Sequence, residues 1–363
     1  MENITLFQKY LRKRTLRSVF SGTPSFRKIN DAIQLYRTIA DNEKNRKRQQ
    51  TANQVGIPAL CMFSVTWNCN LACKGCYAMN YKNKSTLTIE EIETTLRQMV
   101  NYGTYVFIIA GGEPLTVKGL IPALSRIQRG IFFLFTNGTL VNREIINQFK
   151  KNRKIIPVIS IEGEDIHTAD RRGERVSEKL KAVFGLLRSE KIVFGISTMA
   201  TRLNVSSITS REYAASIRTL GASFLYLIDY IPFEFSLNTE YILTAKDHEM
   251  KRIELNKRKR ENGLATFNFP SDEYIDGICE AAGKGFLHIN ANGMAEPCPF
   301  SHYAKDNILE KNYIQVLKSD FFREIRENVG NMNNTSGSCL LFENRKMLEE
   351  IAGRTEAYST ECM

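Results

Sequence analysis

The sequence predicts an α/β protein built around a parallel sheet, and two observations carry that expectation. After a break at Gly56-Ile57-Pro58, six short apolar runs rich in β-formers recur along the chain, and amphipathic stretches of helical period fill the gaps between them. Strand, helix, strand in that rhythm requires right-handed crossovers and therefore parallel neighbours. The expected strands are Ala59–Thr66, Tyr105–Ala110, Ile131–Thr136, Ile155–Ile161, Ile192–Met199 and Phe224–Tyr230. The helices among them are Thr88–Tyr102, Val117–Gln128, Asn142–Lys151, Val176–Ser189 and Ser210–Leu220. Six units are too few for a closed eight-stranded barrel, and continuous apolar strands suit either an open doubly wound sheet or a partial (β/α)6 TIM-like barrel. In both architectures chemistry gathers at the C-terminal ends of the strands.

Three segments are expected along the 363 residues. Residues 1–55 read as a basic helical segment: Ile29, Ile33, Tyr36 and Ile39 recur at spacings of three and four, and the run closes in Lys44-Asn45-Arg46-Lys47-Arg48. The first 50 residues hold 12 Lys or Arg against four acids. Such a segment is either a solvated helix pair packed on the main body or a face for phosphates, anionic lipid or an acidic peptide. Residues 56–250 carry the parallel sheet. A second basic helix, with Lys251-Arg252 and Lys257-Arg258-Lys259-Arg260, marks the expected boundary to a small Gly- and Asn-rich domain, 251–363. That domain holds one hairpin signal, Phe286–Asn290 and Met294–Cys298 joined by Ala291-Asn292-Gly293.

Charged residues at 25 % and hydrophobic ones at 43 % exclude a disordered or fibrous chain. No apolar run approaches the roughly 20 residues of a membrane helix. With no export signal either, a cytoplasmic protein with reduced thiols is expected. Clustered cysteines then point to metal or redox chemistry rather than to disulfides.

Of the eight cysteines, three cluster in Cys69-Asn70-Leu71-Ala72-Cys73-Lys74-Gly75-Cys76, directly after the first strand. Thiolates are the soft ligands that select iron–sulfur clusters or zinc. Three of them in one short loop can hold three irons of a four-iron cluster and leave the fourth open. Zinc would want a fourth close ligand, and the next cysteine along the chain is the distant Cys279. The neighbouring strand ends are also suggestive: Gly111-Gly112-Glu113-Pro114, then Thr136-Asn137-Gly138, then Ser160-Ile161-Glu162-Gly163 followed by His167 and Asp170-Arg171-Arg172-Gly173. Glycines let backbone approach a ligand closely, and a carboxylate beside them can pair with an ammonium group.

In this order, CxxxCxxC after the first strand and Gly-Gly-Glu-Pro after the second, the sequence resembles the radical S-adenosylmethionine (radical SAM) superfamily over residues 57–345. The resemblance implies a partial (β/α)6 TIM-like barrel and a four-iron cluster on Cys69, Cys73 and Cys76, whose open iron chelates the methionine end of S-adenosylmethionine. Reductive cleavage then yields a 5′-deoxyadenosyl radical that abstracts hydrogen from a substrate. It implies cofactor contacts from Gly111, Gly112, Glu113 and Pro114 to the methionine amino group, from Thr136 and Asn137 at the third strand end, and from Ser160 and Arg172 to ribose and carboxylate. Glu162 stands where relatives carry Asp. Many members place an aromatic residue before the third cysteine, near the adenine; here that position is Gly75, and Tyr77 is the substitute. His167 is expected as a structural or substrate-side residue rather than a ligand. Cys279-Glu280-Ala281-Ala282-Gly283 and Pro297-Cys298-Pro299-Phe300 resemble the opening of SPASM and twitch domains. A second four-iron cluster on Cys279, Cys298 and Cys339 is implied, its fourth site open or filled by Cys362, His302 or a carboxylate. Cys61 and the strand aromatics Phe132, Phe133 and Phe135 are expected in the core.

Three functions are compatible with these residues. The first is a radical SAM maturase of a peptide or protein, with an electron donor such as flavodoxin or ferredoxin as partner. The second is a radical SAM enzyme acting on a small molecule or cofactor precursor. The third is an iron–sulfur redox sensor on nucleic acid or a membrane surface, motivated by the basic helices; it has no use for Gly111-Gly112-Glu113-Pro114, so no nucleic-acid partner is expected.

Overall fold

All six expected strands are present: β1 (Leu60–Thr66), β2 (Val106–Gly111), β3 (Ile131–Thr136), β4 (Ile155–Ser160), β5 (Gly195–Ala200) and β6 (Phe224–Asp229). The computed structural model describes residues 26–361 apart from 80, 82, 233–237, 261–263, 271–278 and 335–337. Residues 1–25 of the expected basic segment and the candidate ligand Cys362 lie outside the described residues. The strands run parallel in chain order, each hydrogen-bonded to the next.

The sheet continues past these six at both ends. β7 (Ala265–Phe269) adds to β6 in parallel, β8 (Phe286–Ile289) adds in parallel to the other side of β1, and β9 (Ala295–Glu296) closes the row antiparallel to β8. The helix between β6 and β7 spans Ala245–Arg260 and runs through the boundary expected at 250/251. Chain on both sides of that position therefore builds one sheet, curled into a partial barrel.

Alternation along each strand explains the curl's two faces. Outward side chains such as Phe63, Phe107, Leu134, Ile159 and Leu225 are fully buried beneath helices, including α2 (Ile89–Tyr102), α3 (Leu120–Arg126) and α4 (Arg143–Lys151). α2 begins at a capping box, Thr88 and Glu91 bonding each other's backbone N–H, and ends at Gly103 in the left-handed region. On the concave face Met62, Ile108, Phe133, Phe135, Ile156, Ser160, Met199, Tyr226, Ile228, Phe267 and Phe269 are only half-buried. Phe132 is core as expected, but Phe133 and Phe135 face this trough, in edge-to-face contact with Phe224 and Tyr226. Period 2 puts them on the opposite face from Phe132, and the open inner side of a partial barrel leaves them accessible. Cys61 faces outward and is fully buried.

The basic segments pack rather than stand free. In α1 (Phe26–Asn53) Arg46 turns inward, donating to the Ile57 carbonyl at 2.9 Å and to Glu43, which also accepts from the Tyr105 hydroxyl. In the 245–260 helix Lys251 is fully buried against Asp229, and Arg258 donates to the Ile208 and Ser210 carbonyls. Three of the cations that motivated a nucleic-acid or membrane surface are thus structural. Among the described residues no helix is long and apolar enough to cross a membrane.

Candidate functional site

The cysteine loop leaves β1 at its C-terminal end and returns alongside it: Trp67 N–H donates to the Ser85 carbonyl and Thr66 pairs with Thr86. Trp67 stacks on Tyr81 at 3.8 Å between centroids and meets Tyr77 edge-on. Inside the loop Cys76 N–H donates to the Cys73 carbonyl, and Gly75 takes φ +64. A side chain at Gly75 would sit 2.9 Å from the Tyr230 ring and 3.3 Å from that of Tyr241. The aromatic surface missing at position 75 is therefore supplied from beyond the β6 end. Tyr77 packs on Trp67, and its hydroxyl donates to the Gly111 carbonyl at 3.3 Å.

Gly111 and Gly112 are required by the chain's own backbone. A Cβ on Gly111 would lie 2.2 Å from the Thr66 carbonyl oxygen, and one on Gly112 2.1 Å from that of Asn68. Gly112 and Glu113 N–H groups donate to those same two carbonyls, so the β2 end is sewn to the start of the cysteine loop. The buried Glu113 carboxylate accepts from the Thr136 hydroxyl, the Asn137 N–H and the Leu115 N–H at 2.7, 2.7 and 3.0 Å. Burial pushes its pKa up, and these three donors work against that rise. Two carboxylate oxygens offer about four acceptor positions, which leaves one for a ligand.

The β3 end is tied to the same loop. The Asn137 side chain donates to Asn70 Oδ1 at 2.9 Å and points toward Cys69 Sγ at 3.9 Å, while Asn70 donates to Thr139. Ser160 shares a 2.8 Å hydrogen bond with Ser197 across β4 and β5. Glu162 is buried between two guanidiniums, with Arg171 at 2.5 Å and Arg172 Nε at 2.6 Å from Oε1. Both arginines end the short helix Asp165–Arg172, on which His167 lies half-buried. That helix is braced to the loop by Lys74 N–H on the Arg171 carbonyl and by the Lys74–Asp170 ion pair. Burial raises the Cys73 thiol pKa, and Arg172 and Arg171 pull it back.

The predicted first site is thus one neighbourhood: the loop and the Gly111–Pro114, Thr136–Asn137 and Glu162–Arg172 segments are mutually hydrogen-bonded or charge-coupled. Sequence reading missed Asn70, Thr139, Arg171, Tyr230 and Tyr241. Asn70 lies within the cysteine motif, Arg171 beside Arg172 and Tyr230 at the end of the sixth expected strand, so position along the chain was a usable signal for those three; Tyr241 carries none.

Cys279, Cys298 and Cys339 are buried in the main core, and Cys298 Sγ accepts from the Phe300 N–H at 3.4 Å. His302 is buried too, its Nδ1 3.1 Å from the Tyr81 hydroxyl. None of the seven described cysteines is in a disulfide. Among the described residues no three Cys, His, Asp or Glu side chains stand together as a ready metal site, so holding a cluster requires the thiols of a set to draw in. A buried polar chain links β1, β8 and β9: Ser64 Oγ is 2.8 Å from His288 Nε2, and His288 Nδ1 is 2.7 Å from Glu296, which also accepts from Asn290 and Thr360. Burial pushes the Glu296 carboxyl up, but His288, His302 and Thr360 outweigh it and hold it below its usual range.

Residues 63–208 match the radical SAM superfamily. The AdoMet-dependent heme synthase of Methanosarcina barkeri is 24 % identical over 331 residues, covering 83 % of this chain and 93 % of that protein. AlbA, the antilisterial bacteriocin subtilosin biosynthesis protein of Bacillus subtilis, is 24 % identical over 287 residues, 76 % of this chain and 62 % of that one. Among solved structures, Streptococcus suis SuiB bound to its precursor peptide SuiA superposes with a TM-score of 0.64 at 15 % identity, covering 86 % of this chain and 77 % of that chain; this likeness shows the fold. The matched segment and the fold are those of a radical SAM enzyme on a partial TIM barrel, a family that works with a four-iron cluster and S-adenosylmethionine.

The residues present fit those groups. Three reduced thiols on one loop are a suitable soft donor set. Beside them Glu162 Oε2 and Arg171 Nε are buried without a hydrogen-bond partner among the described residues, an acceptor and a donor left for a polar ligand.

Proposed function

We propose that the chain is a maturase that modifies a peptide or protein, with Cys69, Cys73 and Cys76 holding the four-iron cluster at the mouth of the barrel. When bound, that cluster and S-adenosylmethionine supply a hydrogen-abstracting radical. The chain's own residues do the placing. The spare acceptor position of Glu113 suits the methionine ammonium, Gly111, Gly112 and Pro114 hold Glu113 against the loop, and Thr136 and Asn137 fix its carboxylate. Ser160, Glu162 and Arg172 face the remaining polar groups of the cofactor, with Tyr77, Tyr230 and Tyr241 as its aromatic surroundings. Cys279, Cys298 and Cys339 hold a second cluster, and the chain from about 251 onward serves it.

The observation that carries the peptide reading is the concave face, where half-buried apolar and aromatic side chains from β1 to β7 form an open trough able to take an extended chain. Likeness to AlbA, and to SuiB with its precursor peptide, supports it. A second reading, a small flat cofactor precursor, draws on the heme synthase relatives and on the rings of Phe133, Phe135, Tyr226 and Phe267 along the trough.

Two experiments test these assignments. Under anaerobic reconstitution, replacing Cys69, Cys73 and Cys76 by Ala is expected to abolish 5′-deoxyadenosine formation and remove the iron of one cluster; undiminished cleavage refutes the site. Replacing Cys279, Cys298 and Cys339 should halve the iron, and unchanged iron refutes the second cluster. For the substrate, the enzyme is given extract from deuterium-grown cells and deuterium is traced into 5′-deoxyadenosine. Transfer that protease treatment of the extract abolishes is expected; transfer that survives protease and follows the small-molecule fraction selects the second reading.

A further inference from the structure

Asn137 is tied into the site through both its backbone and its side chain. Its backbone N–H donates to Glu113 Oε2 at 2.7 Å, and its side-chain Oδ1 accepts from both the N–H and the hydroxyl of Thr139, at 2.9 and 2.7 Å. With Oδ1 so occupied the amide has one orientation, and its Nδ2 must face the cysteine loop. One Nδ2 hydrogen goes to Asn70 Oδ1 at 2.9 Å; Asn70 in turn donates to the Thr139 hydroxyl, closing a three-residue ring. The other points at Cys69 Sγ, 3.9 Å away. Cys69 Sγ also accepts from the Leu71 N–H at 3.4 Å, a backbone contact that any residue but proline would make at 71. The amide of Asn137 is thus a side-chain donor aimed at the sulfur of a ligand candidate in a half-buried setting.

We propose that Asn137 is a positioning residue that sets the reduction potential of the cluster held by Cys69, Cys73 and Cys76. This rests on the reading of Cys69 as a cluster ligand. A reduced cluster carries more negative charge on its sulfurs than an oxidised one, so an N–H pointed at a ligand sulfur stabilises the reduced form and raises the potential. A thiolate draws a donor closer than a neutral thiol does, which shortens the contact in the loaded protein. The Glu113 bond and the Asn70–Thr139 ring give the amide the fixed orientation that this effect requires. Strand ends β2 and β3 then do more than shape the site: they fix how readily it takes up an electron.

The test is potentiometry followed by electron paramagnetic resonance on anaerobically reconstituted protein with its iron counted. Asn137→Ala, which removes the donor without adding charge, is expected to lower the potential by up to about tenfold in the reduction equilibrium, 59 mV for one electron. Thr139→Val, which loosens the ring but leaves an amide beside the sulfur, should shift it much less. An unchanged potential in Asn137→Ala, or an equal shift in Thr139→Val, overturns the proposal. If Asn137→Ala takes up no iron, the unaltered protein carries the test: with 15N only in asparagine side-chain amides, the reduced cluster should show a 15N hyperfine coupling, and its absence overturns the proposal. Should Cys69→Ala keep the full first-cluster iron and signal, the ligand assignment itself has failed; if Cys69 proves essential and Asn137→Ala is silent, only the role of Asn137 has.

Discussion

At Glu113 one buried carboxylate satisfies donors from three stretches of backbone and side chain. Removing it orphans the Thr136 hydroxyl and the Asn137 and Leu115 N–H groups, and each buried unsatisfied donor costs about 1–3 kcal/mol. Glu113→Ala is expected to destabilise the iron-free protein by about 3 kcal/mol, read as a lower urea midpoint at unchanged slope. Glu162 differs in that its partners are charged. Its identity in place of the family's Asp has a physical reading here: the longer side chain reaches both Arg171 and Arg172 through Oε1. Residue types at these positions were legible from the sequence because motif spacing named them. Their partners were not: that Glu113 would bond Asn137, or Asn137 face Cys69, depends on how the β2, β3 and β1 ends converge.

The six strands were legible because each is an unbroken apolar run flanked by turn residues. The helix Asp165–Arg172 was not, since only Thr168 and Arg171 face inward and no apolar period betrays it. β7 was hidden by its shortness, and the pairing of β8 with β1 by distance along the chain. At β2 the strand end is fixed by contact rather than by propensity. Gly112→Ala would drive a methyl into the Asn68 carbonyl, which no side-chain rotation relieves, whereas Gly173, at φ +108, has nothing within 4 Å of its Cβ position. Gly112→Ala is expected to cost about 3 kcal/mol or more and Gly173→Ala about 1–3 kcal/mol from backbone strain alone. Paired urea melts check this; equal losses would mean the close approach to Asn68 is not what demands glycine.

For the molecule as a whole, buried histidines contribute to acid sensitivity. Burial lowers the His302 pKa from 6.5 to about 4. The unfolded chain then takes up a proton near its ordinary histidine pKa while the folded one does not, so stability is complete above pH 6.5 and is lost as pH falls toward 4. The lost stability amounts to about 3 kcal/mol at 1.36 kcal/mol per unit. His248, lowered chiefly by burial, acts in the same direction. Thermal melts of iron-free protein between pH 7 and 4 should show this decline, and His302→Gln should flatten it.

The strand that launches the cysteine loop has neighbours from opposite ends of the sequence: Leu60 pairs with Val106 on one side and Phe286 on the other. During synthesis on the ribosome the first neighbour emerges early and the second only after most of the polypeptide has been made. Until then one edge of β1 has no partner, and the layer that buries Ser64 and His288 does not exist. If this loop anchors the cluster as proposed, loading is expected only once residues 286–289 have emerged and paired with β1, and a product truncated before them should carry no iron there, read by iron counting.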